Sequence, residues 1–279
     1  MASFRVYNPS PQTAAQFKNS EFKDVSFSAG YEGNVGLIFQ GQVKQSIYGH
    51  ENAVDSYLDI FAADNATGYQ QARVTATLAA GHTPQDKLDL AVKAMAPFGV
   101  TLGANTLDLS RPQYPRGAPF IGMARTLLRE VTLSAGGLWS VQNGKLMVTP
   151  KSLDTGNSGA ITLTAATGLV GYPQQTQDGI RVRSLINPAL MPLQKITLDP
   201  SQIIEAERNN DPSSGKSAQA ANAQLDSQKY AAGSYTIFAM DRFGDTRGND
   251  WYDESLCIGQ GGDVPTGQGS QGYYTLGSQ

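Results

Sequence analysis

Few residues in this chain could do chemistry, and they are scattered. His50 is followed by Glu51 and Asp55, a set of types that could bind a metal or exchange protons, and His82 is the only other histidine. The two histidines fit neither H-x-x-x-H nor H-E-x-x-H, so the paired ligands of a zincin helix are missing. The adjacent carboxylates Asp253 and Glu254 are the nearest approach to a glycosidase pair, which needs two carboxyls converging on one bond. Cys257 is the single cysteine, which forbids an intramolecular disulfide and a cysteine-based zinc site. Within Ser255-Leu256-Cys257-Ile258 it reads as a buried strand residue.

Neither a G-x-S-x-G elbow nor a G-x-x-x-x-G-K-[ST] phosphate loop is present. Gly267-Gln268-Gly269-Ser270-Gln271-Gly272 has G-x-G-x-x-G spacing, but it follows no strand and opens no helix, so nothing would place a pyrophosphate. Asn65-Ala66-Thr67 matches a glycosylation sequon without a secretory signal to give it meaning. Arg125 and Arg129 read as the wet side of an amphipathic helix. Each set has a plainer reading as turn, strand or solvated face. No catalytic, cofactor-binding or metal-ligating residue is therefore assigned, and no cofactor is expected.

The elements that would position such residues are mostly strands. Apolar and polar residues alternate through Val25, Phe27, Ala29 and Tyr31, and again through Leu37, Phe39 and Val43. Val54, Leu58 and Ile60 read as a third strand and Val74, Ala76 and Leu78 as a fourth. The four are expected to form one antiparallel sheet curled into a barrel or half-barrel.

At Gly81 the period changes. Thr83 can cap a helix, Pro84 suits its first position and Asp86 favours its positive end; Leu88, Val92 and Met95 then recur at helical spacing up to Pro97. A second helix is expected after Pro119, with Phe120, Met123, Leu127 and Val131 on one side and Gly136-Gly137 ending it. Asn143-Gly144 between two alternating runs predicts a two-residue hairpin, and Trp139 is expected to be buried where that hairpin packs near Leu127 and Val131. Strands return at 161–163, 180–182, 196–198 and 235–237. A polar stretch at 205–233 reads as a long loop with a short helix near 219–228, and the Gly-rich residues 260–279 as a tail.

Composition agrees with a β-rich chain. Of 279 residues 16% are charged, against roughly 25% in ordinary soluble domains, while Gly 30 and Pro 14 supply many turns. A net charge of −3 attracts neither nucleic acid nor an anionic bilayer. No apolar run approaches the roughly 18 residues of a membrane span. With no signal-peptide pattern at its start, the chain reads as soluble and made in the cytoplasm.

Several segments, in order, resemble the baseplate hub (tail hub) proteins of tailed bacteriophages, related to the late-control-protein-D type. Val25-Ser26-Phe27-Ser28-Ala29-Gly30-Tyr31 and Leu37-Ile38-Phe39-Gln40-Gly41-Gln42-Val43 look like two of the family's strands. Leu58-Asp59-Ile60-Phe61-Ala62-Ala63-Asp64 resembles the strand before its Asp-Gly turn, with Asn65 where Gly is common. Gly81-His82-Thr83-Pro84 and the Trp139 hairpin match an inserted α+β module. Gly179 to Pro188 looks like the family's strand ending in Ser-Leu-x-Asn-Pro. Phe243-Gly244-Asp245-Thr246-Arg247-Gly248-Asn249-Asp250-Trp251 resembles its closing motif, with Arg242 where His is common. The chain opens inside the family's second strand, so the resemblance implies a first strand that is missing or supplied by a partner.

The resemblance implies a mainly β, overall α+β protein with two tube-like antiparallel β-barrel domains and a small inserted α+β module. Residues 1–80 would form the first domain, completed by about 158–170. Residues 81–157 would form the module, 158–258 the second β domain, and 259–279 the tail. It implies a structural virion protein, a homotrimer joining the sixfold tail tube to the trimeric central spike. Expected partners are the tube and spike proteins, with the tape measure and the baseplate wedge or sheath-initiator proteins; nucleic acid and membrane are not among them. Expected interface residues are Tyr273, Tyr274, Trp251, Arg208 and Lys216, with the tail lying across another subunit or the spike. Two other readings stay open: a tail-associated peptidoglycan hydrolase, and a receptor- or carbohydrate-binding β module.

Overall fold

The computed structural model describes residues 1–17, 23–153, 159–176, 178–206 and 233–259. They fall into two compact units. One comprises Met1–Ser28 and Leu37–Val148, the other Ala29–Gly36 and Thr149–Gln279.

The first unit opens with β1 (Ala2–Tyr7), a short helix α1 (Pro11–Phe17), β2 (Asp24–Tyr31), β3 (Asn34–His50) and β4 (Ser56–Ala63). These four strands form one sheet in the order β1-β4-β3-β2. β1 and β2 therefore lie at opposite edges, and the described residues form an open sheet rather than a closed barrel. Val54, read as a strand residue, sits in the β3–β4 turn. The Asn52 side chain accepts the backbone N–H groups of Val54 and Asp55 there, which bends the chain before the strand begins.

The short helix α2 (Ala66–Gln71) leads into β5 (Arg73–Leu78), then α3 (Pro84–Met95), β6 (Thr101–Asn105), β7 (Ala118–Met123), α4 (Ala124–Ser134), β8 (Gly137–Gln142) and β9 (Lys145–Pro150). α3 starts as its sequence requires: Thr83 Oγ1 accepts the Asp86 N–H while the Asp86 carboxylate accepts the Thr83 N–H at 2.7 Å. The Asn143-Gly144 hairpin also forms, with φ of 50° and 74° at its two turn residues.

Two expectations are corrected here. β5 is not the fourth strand of the first sheet; it pairs with β7 in a separate two-stranded ribbon. Phe120 and Met123 are accordingly strand residues, and α4 begins only at Ala124. Gly122 disfavours a helix interior by about 1 kcal/mol, and the run from 118 gives β5 a hydrogen-bonding partner.

α3, α4, β5, β7 and β9 enclose the core of this unit, with Leu88, Met95, Leu127, Leu128, Val131, Leu146 and Val148 buried. Trp139 packs against that core, but only half-buried, its ring stacked on Tyr69 with centroids 6.3 Å apart.

In the second unit β10 (Ile161–Thr162), β11 (Gln174–Thr176), β12 (Gly179–Leu185), β13 (Lys195–Thr197), β14 (Ser234–Gly244) and β15 (Trp251–Gly259) form a six-stranded sheet in the order β10-β13-β14-β15-β12-β11. Residues 161–162 thus pair with β13 in this sheet. Ile180, Val182, Ile196, Tyr235, Ile237 and Cys257 fill its core.

Two outcomes test these cores. Leu128→Ala should destabilise the first unit by about 2–5 kcal/mol, the range for emptying a buried leucine site. Tyr235 is fully buried and its hydroxyl has no hydrogen-bond partner among the described residues. Tyr235→Phe should therefore raise stability, by about 1 kcal/mol. Urea unfolding of the full chain reads both, and a loss in the second variant would show that the hydroxyl is bonded.

Candidate functional site

The residues singled out for chemistry are held apart, each by its own structural partners. His50 is exposed at the end of β3, edge-on to Tyr48. Asp55 accepts hydrogen bonds from the Asn8 and Asn52 side chains, which hold its carboxyl below the usual range. The His50-Glu51-Asp55 set is a turn. His82 is buried, its Nδ1 2.8 Å from the Ala79 carbonyl and its ring stacked on Tyr114. Among the described residues no group of three or more His, Cys, Asp and Glu side chains comes together.

Asp253 and Glu254 are neighbours on a strand and so point to opposite faces. Glu254 is paired with Arg183, whose guanidinium also lies over the Tyr252 ring. Asp253 is fully buried, accepts the Asn187 N–H at 3.2 Å and stands 3.7 Å from Arg242 Nε. The two carboxyls do not converge on a common point. Burial pushes the Cys257 thiol far up, so it packs as an apolar group. Asn65 is buried at the start of α2, where the sequon is closed to modification. Arg125 donates to the Tyr69 carbonyl and stacks on its ring; Arg129 is exposed, as its helical position suggested.

The structure instead presents two anchored joints and one open sheet. The Asp64 carboxylate accepts the backbone N–H groups of Asn143 and Gly144, and the Asn143 side chain accepts the Gln40 N–H at 3.0 Å. One half-buried carboxylate thus ties the end of β4 to the β8–β9 turn. The second joint lies within the other unit. Arg242 donates to the Leu190 carbonyl while Asp253 takes the Asn187 N–H, so the pair clips both ends of the 187–190 turn. The Asn34 side chain reaches Asn187, and Tyr31 donates to the Trp251 carbonyl at 3.1 Å. Neither Asp64 nor Arg242 stood out by sequence spacing; both act through contacts far along the chain.

The open sheet carries apolar side chains on both faces. Register places Phe4, Val6, Leu58, Ile60 and Tyr48 on one face, with Phe27 and Phe39 stacked against Phe4. Leu58 and Ile60 are buried there, while Val6, Phe27 and Tyr48 stay exposed. The other face bears the Arg5–Asp59 ion pair, 2.7 Å apart, with exposed Tyr7, Ile47 and Phe61 around it. Of the expected interface residues, Trp251 is half-buried on β15, and Tyr273, Tyr274, Arg208 and Lys216 lie outside the described residues, as do the G-x-G-x-x-G run and the helix expected near 219–228.

Comparison with solved structures shows the fold to be shared. The Escherichia coli c3393 protein is a component of the type VI secretion system with structural similarity to the T4 bacteriophage tail proteins gp27 and gp5. It matches with a TM-score of 0.53 at 10% identity, over 95% of this chain and 73% of that one. A tail protein from Neisseria meningitidis gives 0.48 at 10% identity over 92% and 86% of the two chains. The 43 kDa tail protein of prophage MuSo2 from Shewanella oneidensis gives 0.40 at 10% identity, over 92% and 87%. No family profile and no curated protein sequence matches the chain.

The Asp253 joint makes a pH prediction. Burial, only partly offset by Arg242 and the Asn187 amide, raises this carboxyl from 3.8 to about 6. Between those values the folded chain binds more protons than the unfolded one, so this group's contribution to stability is full below about pH 4 and lost as pH rises through 6. The change is on the order of 2–3 kcal/mol. Unfolding of Asp253→Asn as a function of pH should lack that fall; an unchanged profile would place the titration elsewhere.

Proposed function

We propose that this chain is a structural subunit of a phage tail, a baseplate hub that works as a homotrimer and joins the sixfold tail tube to a threefold central spike. The single observation that carries the reading is the open β1-β4-β3-β2 sheet, whose edges are unpaired among the described residues, with exposed Val6, Tyr7, Phe27, Ile47, Tyr48 and Phe61 on its faces. Contiguous apolar surface and open edges of this kind belong inside assemblies. The fold shared with c3393, itself likened to tail proteins, supports the same reading.

In this reading the four-stranded sheet closes into a tube-like barrel by taking neighbouring strands within the trimer, and two tube-like domains per subunit make a pseudo-sixfold ring. Tube and spike proteins are its direct partners, with tape measure and wedge or sheath-initiator proteins around it. Trp251, Tyr273, Tyr274, Arg208 and Lys216 belong to those contacts, and the chain resides in the virion tail.

A reconstruction of particles carrying the tagged chain should show three copies around the tail axis; one copy or six would overturn the proposal. Val6→Glu combined with Tyr48→Glu should leave the circular dichroism of the purified chain unchanged and abolish its incorporation. Normal incorporation of that variant would remove the sheet face from the interface.

A further inference from the structure

The β5–β7 ribbon is an open template. Its inner face, Val74, Ala76 and Phe120, packs on the core of the first unit. Register puts Thr75 opposite Ile121 and Thr77 opposite Pro119 on the outer face. Both threonines are exposed, and Ile121 is 82% exposed at the centre of the ribbon. The sheet has only these two strands, and neither outer edge has a backbone hydrogen-bond partner among the described residues. Native edges are normally blunted by charge, bulges or short length. Here the devices are Pro119 on β7 and Arg73 at the start of β5, and every other residue of the two strands is uncharged.

The charges on the two strands and in the chain just before β7 are cationic. Residues 65–85 and 109–129 contain Arg73, Arg111, Arg116, Arg125 and Arg129 and no aspartate or glutamate, in a chain whose net charge is −3. Arg73, Arg111 and Arg116 are exposed, and none has an ion-pair partner among the described residues. Asp108 accepts hydrogen bonds from Ser110 and lies close enough to Arg111 for its charge to be stabilised, which leaves Arg73 and Arg116 as the cations with no carboxylate beside them among the described residues.

We propose that the β5–β7 ribbon is a strand-addition site for an extended acidic segment of another protein, which pairs with a free edge, lays an apolar residue against Ile121 and sets its carboxylates by Arg73 and Arg116. Main-chain hydrogen bonds would supply the affinity, and the alternation of acidic and apolar side chains the specificity. This site is independent of the open four-stranded sheet, so it stands or falls separately from the hub reading.

The test uses the purified full chain and a fluorescent peptide of alternating glutamate and valine, with a lysine–valine peptide and a single-stranded oligonucleotide as comparisons. The acidic peptide should bind about tenfold or more tightly than the basic one, and its binding should slow amide exchange within 73–78 or 118–123. Ile121→Glu, and separately Arg73→Glu with Arg116→Glu, should weaken that binding about tenfold while melting temperature and circular dichroism stay unchanged. No binding, equal binding of the two peptides, tighter binding of the oligonucleotide, or exchange protection confined to other strands would each overturn the proposal.

Discussion

Backbone groups in a sheet must be paired or wetted, and that constraint governs this protein more than any side-chain chemistry. The six-stranded sheet of the second unit meets it internally. Its long central strands, β14 and β15, pair over most of their length, and it ends in strands of two and three residues, too short to recruit another chain. The four-stranded sheet of the first unit ends instead in β1, with six residues, and β2, with eight. One of its faces buries Val43, Leu58 and Ile60 yet leaves neighbouring aromatic and aliphatic groups in water. Among the described residues this sheet is therefore partly packed on that face and open at both edges.

Within each unit, carboxylates fix turns that the sheets alone would leave free. Asp64 gives up solvation to accept two N–H groups of the Asn143-Gly144 turn, and burial raises its pKa despite those bonds. The turn's positive φ values orient both N–H groups the same way, so one carboxylate can take both. Asp253 works alike on the 187–190 turn, but with Arg242 beside it at 3.7 Å, too long for a direct hydrogen bond. In both, desolvation is the largest cause of the raised proton affinity.

The polar residues best able to react are used in the same way. His82 and Tyr114 stack below the cap of α3, Arg5 bridges Asp59 and lies over Tyr57, and Glu254 is held by Arg183. Each adds definition to an element it belongs to, and none converges with another on a common point.

What the sequence determined by itself was local. Thr83-Pro84 with Asp86 starts α3 because Thr83 and Asp86 accept each other's backbone N–H groups and Pro84 has none to satisfy. Asn143-Gly144 makes a hairpin because both residues tolerate positive φ. The alternating runs of β2, β3 and β12 are strands because each has a wetter and a drier face. Tertiary structure decided what each strand would pair with. β5 carries the same alternation as its predecessors, yet joins β7, since hydrogen-bond partnership is set by which backbone lies alongside and leaves no mark on either strand's own pattern. Phe120 and Met123 suited a helix by spacing and became a strand for the same reason. The Asp64 and Asp253 joints were equally invisible, because the amides they bind come from turns 79 and 66 positions away, and only the folded chain brings them within a hydrogen bond.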